Sequence, residues 1–159
     1  MVRCGTGYDV HRLAAHRKLI LGGIEIPSDR GLDGHSDADV LCHAIADALL
    51  GAIGETDIGH HFPNTDESIR GISSLKMLEK IRALLQQKNA KPINIDATLI
   101  AEAPKIAPHI PNMRQNIATA LNLNSSRVSI KATTNEGLGA LGRGEGMAAI
   151  AVATVETTD

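Results

Sequence analysis

The sequence contains little cysteine and very few aromatic residues, and each shortage excludes a class of protein. Its two cysteines, Cys4 and Cys42, cannot cross-link a secreted scaffold, and they do not form the C-x-x-C pair of a redox or structural zinc motif. We interpret both as small buried residues. Tyr8 and Phe62 are the only aromatic residues, so the chain lacks stacking platforms for single-stranded nucleic acid and the aromatic belts of membrane proteins. We therefore expect no nucleic-acid partner and no membrane partner.

An excess of one charge and long apolar runs are also missing. Lys and Arg number 16 against 18 Asp and Glu, a net charge of −2, with no block of like charge. No window approaches the roughly 18 apolar residues of a membrane helix, and residues 1–5 include no apolar signal-peptide core. These features are typical of a cytoplasmic protein, or of a plastid stromal one if a transit peptide has been removed. The length of 159 residues predicts a single domain, residues 1–159.

The spacing of apolar residues, together with Gly and Pro breakers, predicts the element order ββααβαββ. Strands and helices do not alternate strictly, which favours an α+β sandwich with helices on one face of a mixed sheet over a doubly wound fold. The first two strands are expected to pair, and Ser36 with Asp39 resembles a helix-capping box. The predicted strands span 2–8, 19–26, 93–99, 128–132 and 148–155, and the predicted helices span about 40–54, 77–89 and 112–121, with a long loop at 57–72.

Two segments place metal-ligand types on common faces. Asp9 and His11 end the first strand, and their spacing of two residues points both side chains to the same face. On the first helix His43 lies four residues from both Asp39 and Asp47, and these carboxylates could orient its ring. An Asp and two His residues are ligand types that a catalytic zinc site uses, with its fourth position open. The alternative is that Asp9 and His11 hydrogen-bond locally while His43 is a solvated helix residue.

A glycine-rich loop over 135–146 matches G-x-G-x-x-G formally, but it leads into a strand rather than a helix, which excludes a dinucleotide fingerprint. Before it stand Thr133 and Thr134, whose hydroxyls could bind phosphate, and Glu136, whose carboxylate could bind magnesium. The alternative is a tight connection whose glycines supply only positive φ.

Three further residues are candidate phosphate contacts. His35 and Ser36 precede the first helix, where backbone amides favour an anion, although Ser36 could simply cap the helix. Lys105 lies in a proline-rich loop and offers a cation, although most single lysines are merely solvated.

Several motifs, taken together and in order, resemble the 2-C-methyl-D-erythritol 2,4-cyclodiphosphate synthase family. The resemblance runs from residue 3 to about residue 155. It is carried by the segments Asp9-Val10-His11, Gly34-His35-Ser36-Asp37-Ala38-Asp39, Asp47-Ala48-Leu49-Leu50-Gly51, Asp57-Ile58-Gly59, Phe62-Pro63, Ala103-Pro104-Lys105, Pro108-His109-Ile110, Lys131-Ala132-Thr133-Thr134 and Gly142-Arg143-Gly144-Glu145-Gly146.

The resemblance implies a chorismate-mutase-like two-layer sandwich, with a mixed four-stranded sheet, helices on one face and a short β-hairpin. It also implies a homotrimer with active sites between subunits. The implied reaction cyclises 4-diphosphocytidyl-2-C-methyl-D-erythritol 2-phosphate, a cytidine diphosphate substrate, to 2-C-methyl-D-erythritol 2,4-cyclodiphosphate with release of CMP. This lyase step belongs to the non-mevalonate isoprenoid pathway.

Site roles follow from the resemblance one position at a time. The implied zinc ligands are Asp9, His11 and His43, and the implied ligand of a second metal, magnesium or manganese, is Glu136. The implied catalytic residues are His35, Ser36, Thr134 and Glu136. The implied substrate contacts are Asp57 and Gly59 on the methylerythritol hydroxyls, Ala101, Pro104, Lys105, Ile106 and Ala107 around cytidine, and Thr133 and Thr134 on the diphosphate. Arg143 and Glu145 match residues that line a cavity on the trimer axis.

Three positions depart from the common pattern. Asn64 stands where an acid often contacts the diol, Ile69 replaces a frequent aromatic residue, and Ala140 replaces a Phe beside the axial cavity. Two other functions use the same residues: a zinc-dependent phosphoesterase that activates water, and a non-catalytic trimeric module that binds nucleotides or isoprenoid diphosphates.

Overall fold

The computed structural model of the chain describes residues 1–158, and residue 159, the last of the predicted domain, lies outside the described residues. No helix among the described residues is long and apolar enough to cross a membrane. The strands are β1 (Val2–Ala15), β2 (Leu19–Leu21), β3 (Ile24–Ile26), β4 (Arg30–Leu32), β5 (Ala90–Ile100), β6 (Val128–Thr133) and β7 (Gly146–Thr157). The helices are α1 (Val40–Ala52), α2 (Ile58–His61), α3 (Ser74–Gln87), α4 (Ile110–Leu121) and α5 (Gly139–Gly142).

The main sheet has the strand order β4-β1-β7-β5-β6. Only β5 and β6 are parallel, while β1 with β4, β1 with β7 and β5 with β7 are antiparallel. The sheet is therefore mixed, as predicted, but it has five strands rather than four because the three-residue β4 is added at one edge. This α+β arrangement confirms the predicted fold class.

The predicted pairing of the first two strands is wrong. Residues 19–26 instead fold on themselves as the two-stranded sheet β2-β3, which turns at Gly22 and Gly23. Both glycines have positive φ, 56° and 72°, which only glycine adopts readily. This leaves β1 free to extend to residue 15 and to pair with β7 along almost its whole length.

The two faces of the sheet differ in cover. The helices α1, α3 and α4 pack on one face, where Ala149, Ala151 and Ala153 of β7 are buried. On the opposite face Tyr8, Val10, Ile150 and Val152 are 56%, 48%, 47% and 39% exposed. Cys4 lies on this open face beside Thr154, so the interpretation of Cys4 as buried is wrong, whereas Cys42 is buried in α1.

Other helix boundaries differ from the predictions for local reasons. Asp39 caps α1 by accepting a hydrogen bond from the Cys42 amide, while Ser36 accepts from Ala38, so the predicted capping box does not form. The predicted loop at 57–72 contains α2 and one 3-10 turn at Glu67–Ile69. The helix predicted from residue 112 begins two residues earlier, since Pro111 is compatible with a first helical turn.

Candidate active site

The contact between β1 and α1 positions the predicted metal ligands. A Cβ atom at Gly7 would lie 2.0 Å from the Ala44 carbonyl oxygen, and one at Gly5 would lie 2.1 Å from that of Ala48. The helix backbone therefore rests directly on the strand, which only glycine permits at these positions. His43, adjacent to Ala44, is consequently held over the last part of β1.

Three donor atoms converge at this contact. The Oδ2 atom of Asp9 lies 2.9 Å from Nε2 of His11 and 3.0 Å from Nδ1 of His43, and the two ring nitrogens are 3.1 Å apart. His43 is only 5% exposed, so the alternative in which it is a solvated helix residue is wrong. The structure thus brings together the strand residues Asp9 and His11 and the helix residue His43, which the sequence placed on two separate elements.

The backbone defines the orientation of the His11 ring. Its Nδ1 atom lies 2.7 Å from the Asp33 carbonyl oxygen, which only accepts hydrogen bonds, so Nδ1 carries the proton. The Nε2 lone pair then faces Asp9 and His43. A backbone carbonyl on the second nitrogen is the usual partner of a metal-ligating imidazole.

The Asp9 carboxylate and the neighbouring His11 ring shift each other's pKa. Burial alone would raise the pKa of Asp9, but its close contacts with the His11 and His43 imidazoles outweigh it and keep that pKa well below its ordinary value. Burial alone would lower the pKa of His11, but the hydrogen bond and charge of Asp9 outweigh it and raise that pKa. A carboxylate that stays ionised beside two imidazoles is a donor set that zinc accepts, so the residues fit a metal.

Asp39 and Asp47 do not orient His43, and this prediction is wrong. Asp39 is fully buried and accepts hydrogen bonds from the Cys42 and Gly23 amides. Asp47 accepts one from the Ile58 amide at 2.8 Å, which ties α1 to the start of α2. The ring of His43 instead contacts serine hydroxyls.

A cavity of about 280 Å³ opens above the three ligands. His35, Ser36 and Gly59 line it, as do Asn64 and Ile69, two of the residues that depart from the family pattern. The Nε2 atom of His35 is buried there without a hydrogen-bond partner, so it is free to bind a polar group in the cavity.

Asp57 lies at the side of this cavity. Its Oδ1 atom accepts a hydrogen bond from the His60 amide at 3.0 Å and caps α2. The side chain lines a neighbouring cleft together with Tyr8 and Asp47. The Asp57 carboxylate can accept further hydrogen bonds from a ligand.

A second cavity, of about 210 Å³, lies where β5 and β6 end. It is lined by Ala101, Glu102, Pro104, Lys105, Ile106, Ala107, Ala132, Thr133 and Thr134. The structure thus brings together the seven predicted contacts to cytidine and the diphosphate. The Ala101 amide donates to the Thr133 carbonyl at 2.9 Å and the Asn135 amide donates to Glu102 at 2.6 Å, so the two loops are joined.

Glu136 lies beyond this cavity on the exposed glycine-rich loop. Its backbone has a positive φ of 52°, and its amide donates to the Thr134 hydroxyl at 3.2 Å. Farther along, Arg143 forms an exposed ion pair with Glu145 at 2.7 Å, and Ala140 is exposed.

The two cavities lie at the same end of the sheet but far apart within one chain. Val10 pairs with Ala148, Ala148 with Ile100, and Ile100 with Thr133, which makes one row across four strands. Three strand spacings separate β1 from β6, or about 14 Å. The metal-ligand set and the threonines therefore do not meet within one chain.

Sequence reasoning missed three residues that organise these cavities. Ser74 contacts His43, Asp37 binds Ser74, and Glu102 joins the loops of the second cavity. Each of the three contacts joins residues more than 30 positions apart, so no short-range pattern in the sequence indicates them.

Comparison with known proteins gives consistent matches along the whole chain. The model of the YgbB family matches residues 2–156. A curated relative from Geotalea uraniireducens (strain Rf4), named 2-C-methyl-D-erythritol 2,4-cyclodiphosphate synthase, is 58% identical over 155 residues that cover 98% of this chain and 99% of the relative.

Solved structures also match over nearly the whole chain. The bifunctional IspDF protein of Campylobacter jejuni superposes with a TM-score of 0.95 at 38% identity, over 100% of this chain and 43% of that longer chain. The IspF protein of Plasmodium falciparum, in complex with CDP, superposes with a TM-score of 0.86 at 34% identity, over 99% of this chain and 97% of that one.

Proposed function

We propose a role in the reaction for each site residue of this chain, which belongs to the YgbB family. The chain performs the cyclodiphosphate synthase step of isoprenoid biosynthesis. The substrate is 4-diphosphocytidyl-2-C-methyl-D-erythritol 2-phosphate. An oxygen of the 2-phosphate attacks the β-phosphorus, the bond from that phosphorus to the oxygen bridging to the α-phosphate breaks, and CMP leaves. The observation that carries this assignment is the convergence of Asp9, His11 and His43 below a cavity that His35 and Ser36 line.

The donor set is best suited to zinc, and Glu136 to magnesium or manganese. When bound there, the two cations supply positive charge that stabilises the diphosphate and the departing CMP. The task of Asp9, His11 and His43 is to keep their donor atoms in one place, which their mutual distances of about 3 Å and the burial of His43 allow.

No side-chain base is required in this reaction. A phosphate monoester has a second pKa of about 6, so the attacking oxygen is already ionised near neutral pH. The protein has to bend the substrate until the nucleophile lies about 3–3.5 Å from the phosphorus. We assign this positioning to His35 and Ser36 on the 2-phosphate and to Asp57 and Gly59 on the hydroxyl groups.

The second cavity is our candidate for the cytidine nucleotide. Structural neighbours in complex with CDP support a cytidine ligand. In this chain the cavity offers backbone groups of residues 101–107 to the base and ribose, the exposed Lys105 ammonium to the phosphates, and the Thr133 and Thr134 hydroxyls to the diphosphate.

A homotrimer would complete the site. Because about 14 Å separates the metal ligands from Thr133 in one chain, a diphosphate cannot touch both unless a second copy supplies one of them. The open sheet face offers a surface for association, since Tyr8, Val10, Ile150 and Val152 form an exposed apolar patch. On the resulting axis Arg143 and Glu145 would line a cavity, where Ala140 in place of a larger residue argues against a tightly held isoprenoid ligand.

Two broader assignments belong to this proposal. We treat residues 1–159 as one catalytic domain, supported by the family match over 2–156. We place the protein in the bacterial cytoplasm, supported by the bacterial origin of its curated relatives.

Phosphorus NMR of the purified protein with this substrate, zinc and magnesium tests the proposal. The expected products are CMP and a cyclic diphosphate in equal amounts. Release of inorganic phosphate would indicate a phosphoesterase, and an unchanged substrate spectrum with bound CDP would indicate a non-catalytic module. Either result would overturn the proposed reaction, and the comparisons favour neither alternative.

A further inference from the structure

The His43 ring is contacted on both of its nitrogen atoms. Its Nδ1 atom lies 3.0 Å from Asp9 and 3.1 Å from His11. Its Nε2 atom lies 3.0 Å from the Ser74 hydroxyl and 3.1 Å from the Ser36 hydroxyl. The ring therefore joins the metal-ligand set to two serines, of which only Ser36 lines the cavity.

Ser74 is bound to a carboxylate through two atoms. It is the first residue of α3 and is 1% exposed. Its amide donates to Asp37 at 2.8 Å and its hydroxyl forms a short hydrogen bond to the other oxygen of the same carboxylate. The Asp39 amide also donates to Asp37, at 3.1 Å, so this carboxylate is held from three sides.

Counting donors fixes the direction of each hydrogen bond. An ionised carboxylate only accepts, so the Ser74 hydroxyl donates its proton to Asp37. At His43 the Ser74 oxygen can then only accept, which requires a proton on Nε2 of the ring. The Nδ1 lone pair is thereby directed toward Asp9 and His11.

The same count determines the role left to Ser36. Its oxygen accepts a hydrogen bond from the Ala38 amide at 3.1 Å. It cannot donate to the Nε2 atom of His43, because that atom already carries a proton. The Ser36 hydroxyl proton is consequently available to a group in the cavity.

We propose that Asp37 and Ser74 are positioning residues that hold the proton of His43 on Nε2, which presents Nδ1 to a metal and leaves the Ser36 hydroxyl free to donate to a substrate phosphate. This inference rests on the metal site proposed at Asp9, His11 and His43. Partners of this kind on the second nitrogen of a ligating histidine typically change metal affinity by 10–100-fold.

Backbone hydrogen bonds hold in place the chain of side-chain contacts from Asp37 through Ser74 to His43, which we call the relay. The Asp37 amide donates to the Ile72 carbonyl at 3.2 Å, and the Gly71 amide donates to the His35 carbonyl at 3.0 Å. These bonds join the segment before α1 to the segment before α3. Residues of the cavity wall and of the relay are therefore connected through the same two backbone segments.

The test is a zinc competition titration with a chromophoric chelator, which reads zinc affinity without substrate. Ser74→Ala is compared with Ser73→Ala, because Ser73 is the exposed neighbour at the same helix start and makes no side-chain capping bond. We expect about a tenfold to hundredfold weaker zinc affinity for Ser74→Ala and wild-type affinity for Ser73→Ala. Ser74→Ala within about twofold of Ser73→Ala would overturn the relay.

A second variant and a direct measurement cover the case in which Ser74→Ala does not fold. Asp37→Asn is expected to weaken zinc affinity, and in the Ser74→Ala background it should add little, since Asp37 acts through Ser74. In the zinc-loaded wild type with ¹⁵N-labelled histidine, the Nε2 proton of His43 should be visible and slow to exchange. A His43 ring without a proton on Nε2 would overturn the proposal.

His43→Ala in the same titration distinguishes a failure of the relay from a failure of the proposed metal site. If it loses zinc while Ser74→Ala retains full affinity, the metal site stands and the relay fails. If His43→Ala also retains full affinity, the metal site itself is wrong and the relay fails with it.

Discussion

The two cavities of this chain are built in opposite ways. The metal-side cavity rests on buried groups: His43 is 5% exposed, Ser74 is 1% exposed, and both nitrogen atoms of the His43 ring contact protein groups. On the nucleotide side, residues 131–134 and 136–140 are all exposed, and Leu138 reaches 69%. Donor atoms held about 3 Å apart by buried groups suit a cation, because a cation requires a defined coordination geometry. An exposed loop suits a ligand or a second chain that orders the loop on binding.

This contrast leads to a clear expectation. The metal half of the site, which is the cavity above Asp9, His11 and His43, should be complete in a single chain. The nucleotide half, which is the cavity at Thr133 and Thr134, should depend on the association of chains. Changes in each half can therefore be separated by measuring zinc content and turnover side by side.

The largest effect is expected for His43→Ala. It removes one of three converging donors, so zinc content should fall from about one per chain to nearly none, and turnover should fall with it. Elemental analysis of protein purified without added metal measures this. His60→Ala, which changes an exposed histidine of α2, is the control and should keep its zinc. Unchanged zinc in His43→Ala would remove this residue from the metal site.

Ile150→Lys should abolish turnover while sparing zinc. It places a charge in the open apolar face of the sheet, opposite the face on which Asp9 contacts His43, and should convert a trimer into monomers because burying a lone charge is costly. Light scattering reports the mass, and zinc analysis shows whether the metal half survives. Ile150→Leu is the matched control. A fully active monomer would contradict a site shared between chains.

Glu136→Gln should lower turnover by about a hundredfold or more with little change in zinc content. The Glu136 carboxylate would hold a magnesium ion whose positive charge stabilises the departing CMP more than the bound substrate, so kcat should fall more than substrate affinity. Steady-state kinetics at subsaturating magnesium measures the change, with Glu25→Gln as a control on an exposed strand pair. Turnover within about twofold of wild type would exclude Glu136 from the reaction.

Gly7→Ala tests how the metal half is assembled. The new Cβ would lie 2.0 Å from the Ala44 carbonyl, so α1 must move off β1, at a cost of about 1–3 kcal/mol in unfolding free energy and with weaker zinc binding. Gly51→Ala on α1 is the control, since its nearest contact is 3.9 Å and a helical alanine should add about 0.5–1 kcal/mol. Denaturant unfolding of both variants measures the difference, and equal stability would contradict the close contact.

The smallest effect is expected for Glu55→Gln, just before α2. The Lys88 hydrogen bond lowers the pKa of Glu55 below its ordinary 4.5. Its stabilisation is therefore present above pH 4.5 and is lost as pH falls through the lower folded-state pKa. The variant should show a slightly lower Tm than wild type near pH 7, and the difference should shrink as pH falls below 4.5. A difference that persists at low pH would show that the ion pair is not its source.

Much of the fold follows from local patterns. Alternation in β5 and the apolar spacing of α3 predicted these elements because each depends on residues two to four positions apart. The strand pairing of residues 19–26 was mispredicted, since a strand pattern does not say whether its partner is near or distant in the chain. The adjacent glycines Gly22 and Gly23, which form the turn, are the local signal that indicates a hairpin within this segment.

The site shows the same division. The shared face of Asp9 and His11 follows from the sequence, because alternation along a strand sets the direction of side chains. The packing of α1 on β1 is a feature of the folded chain, and it brings His43 to 3.0 Å from Asp9 across 34 positions of chain. The tertiary structure also decided that serines rather than Asp39 and Asp47 contact the His43 ring, because packing of the whole helix, and not its period, selects the groups that face a buried side chain.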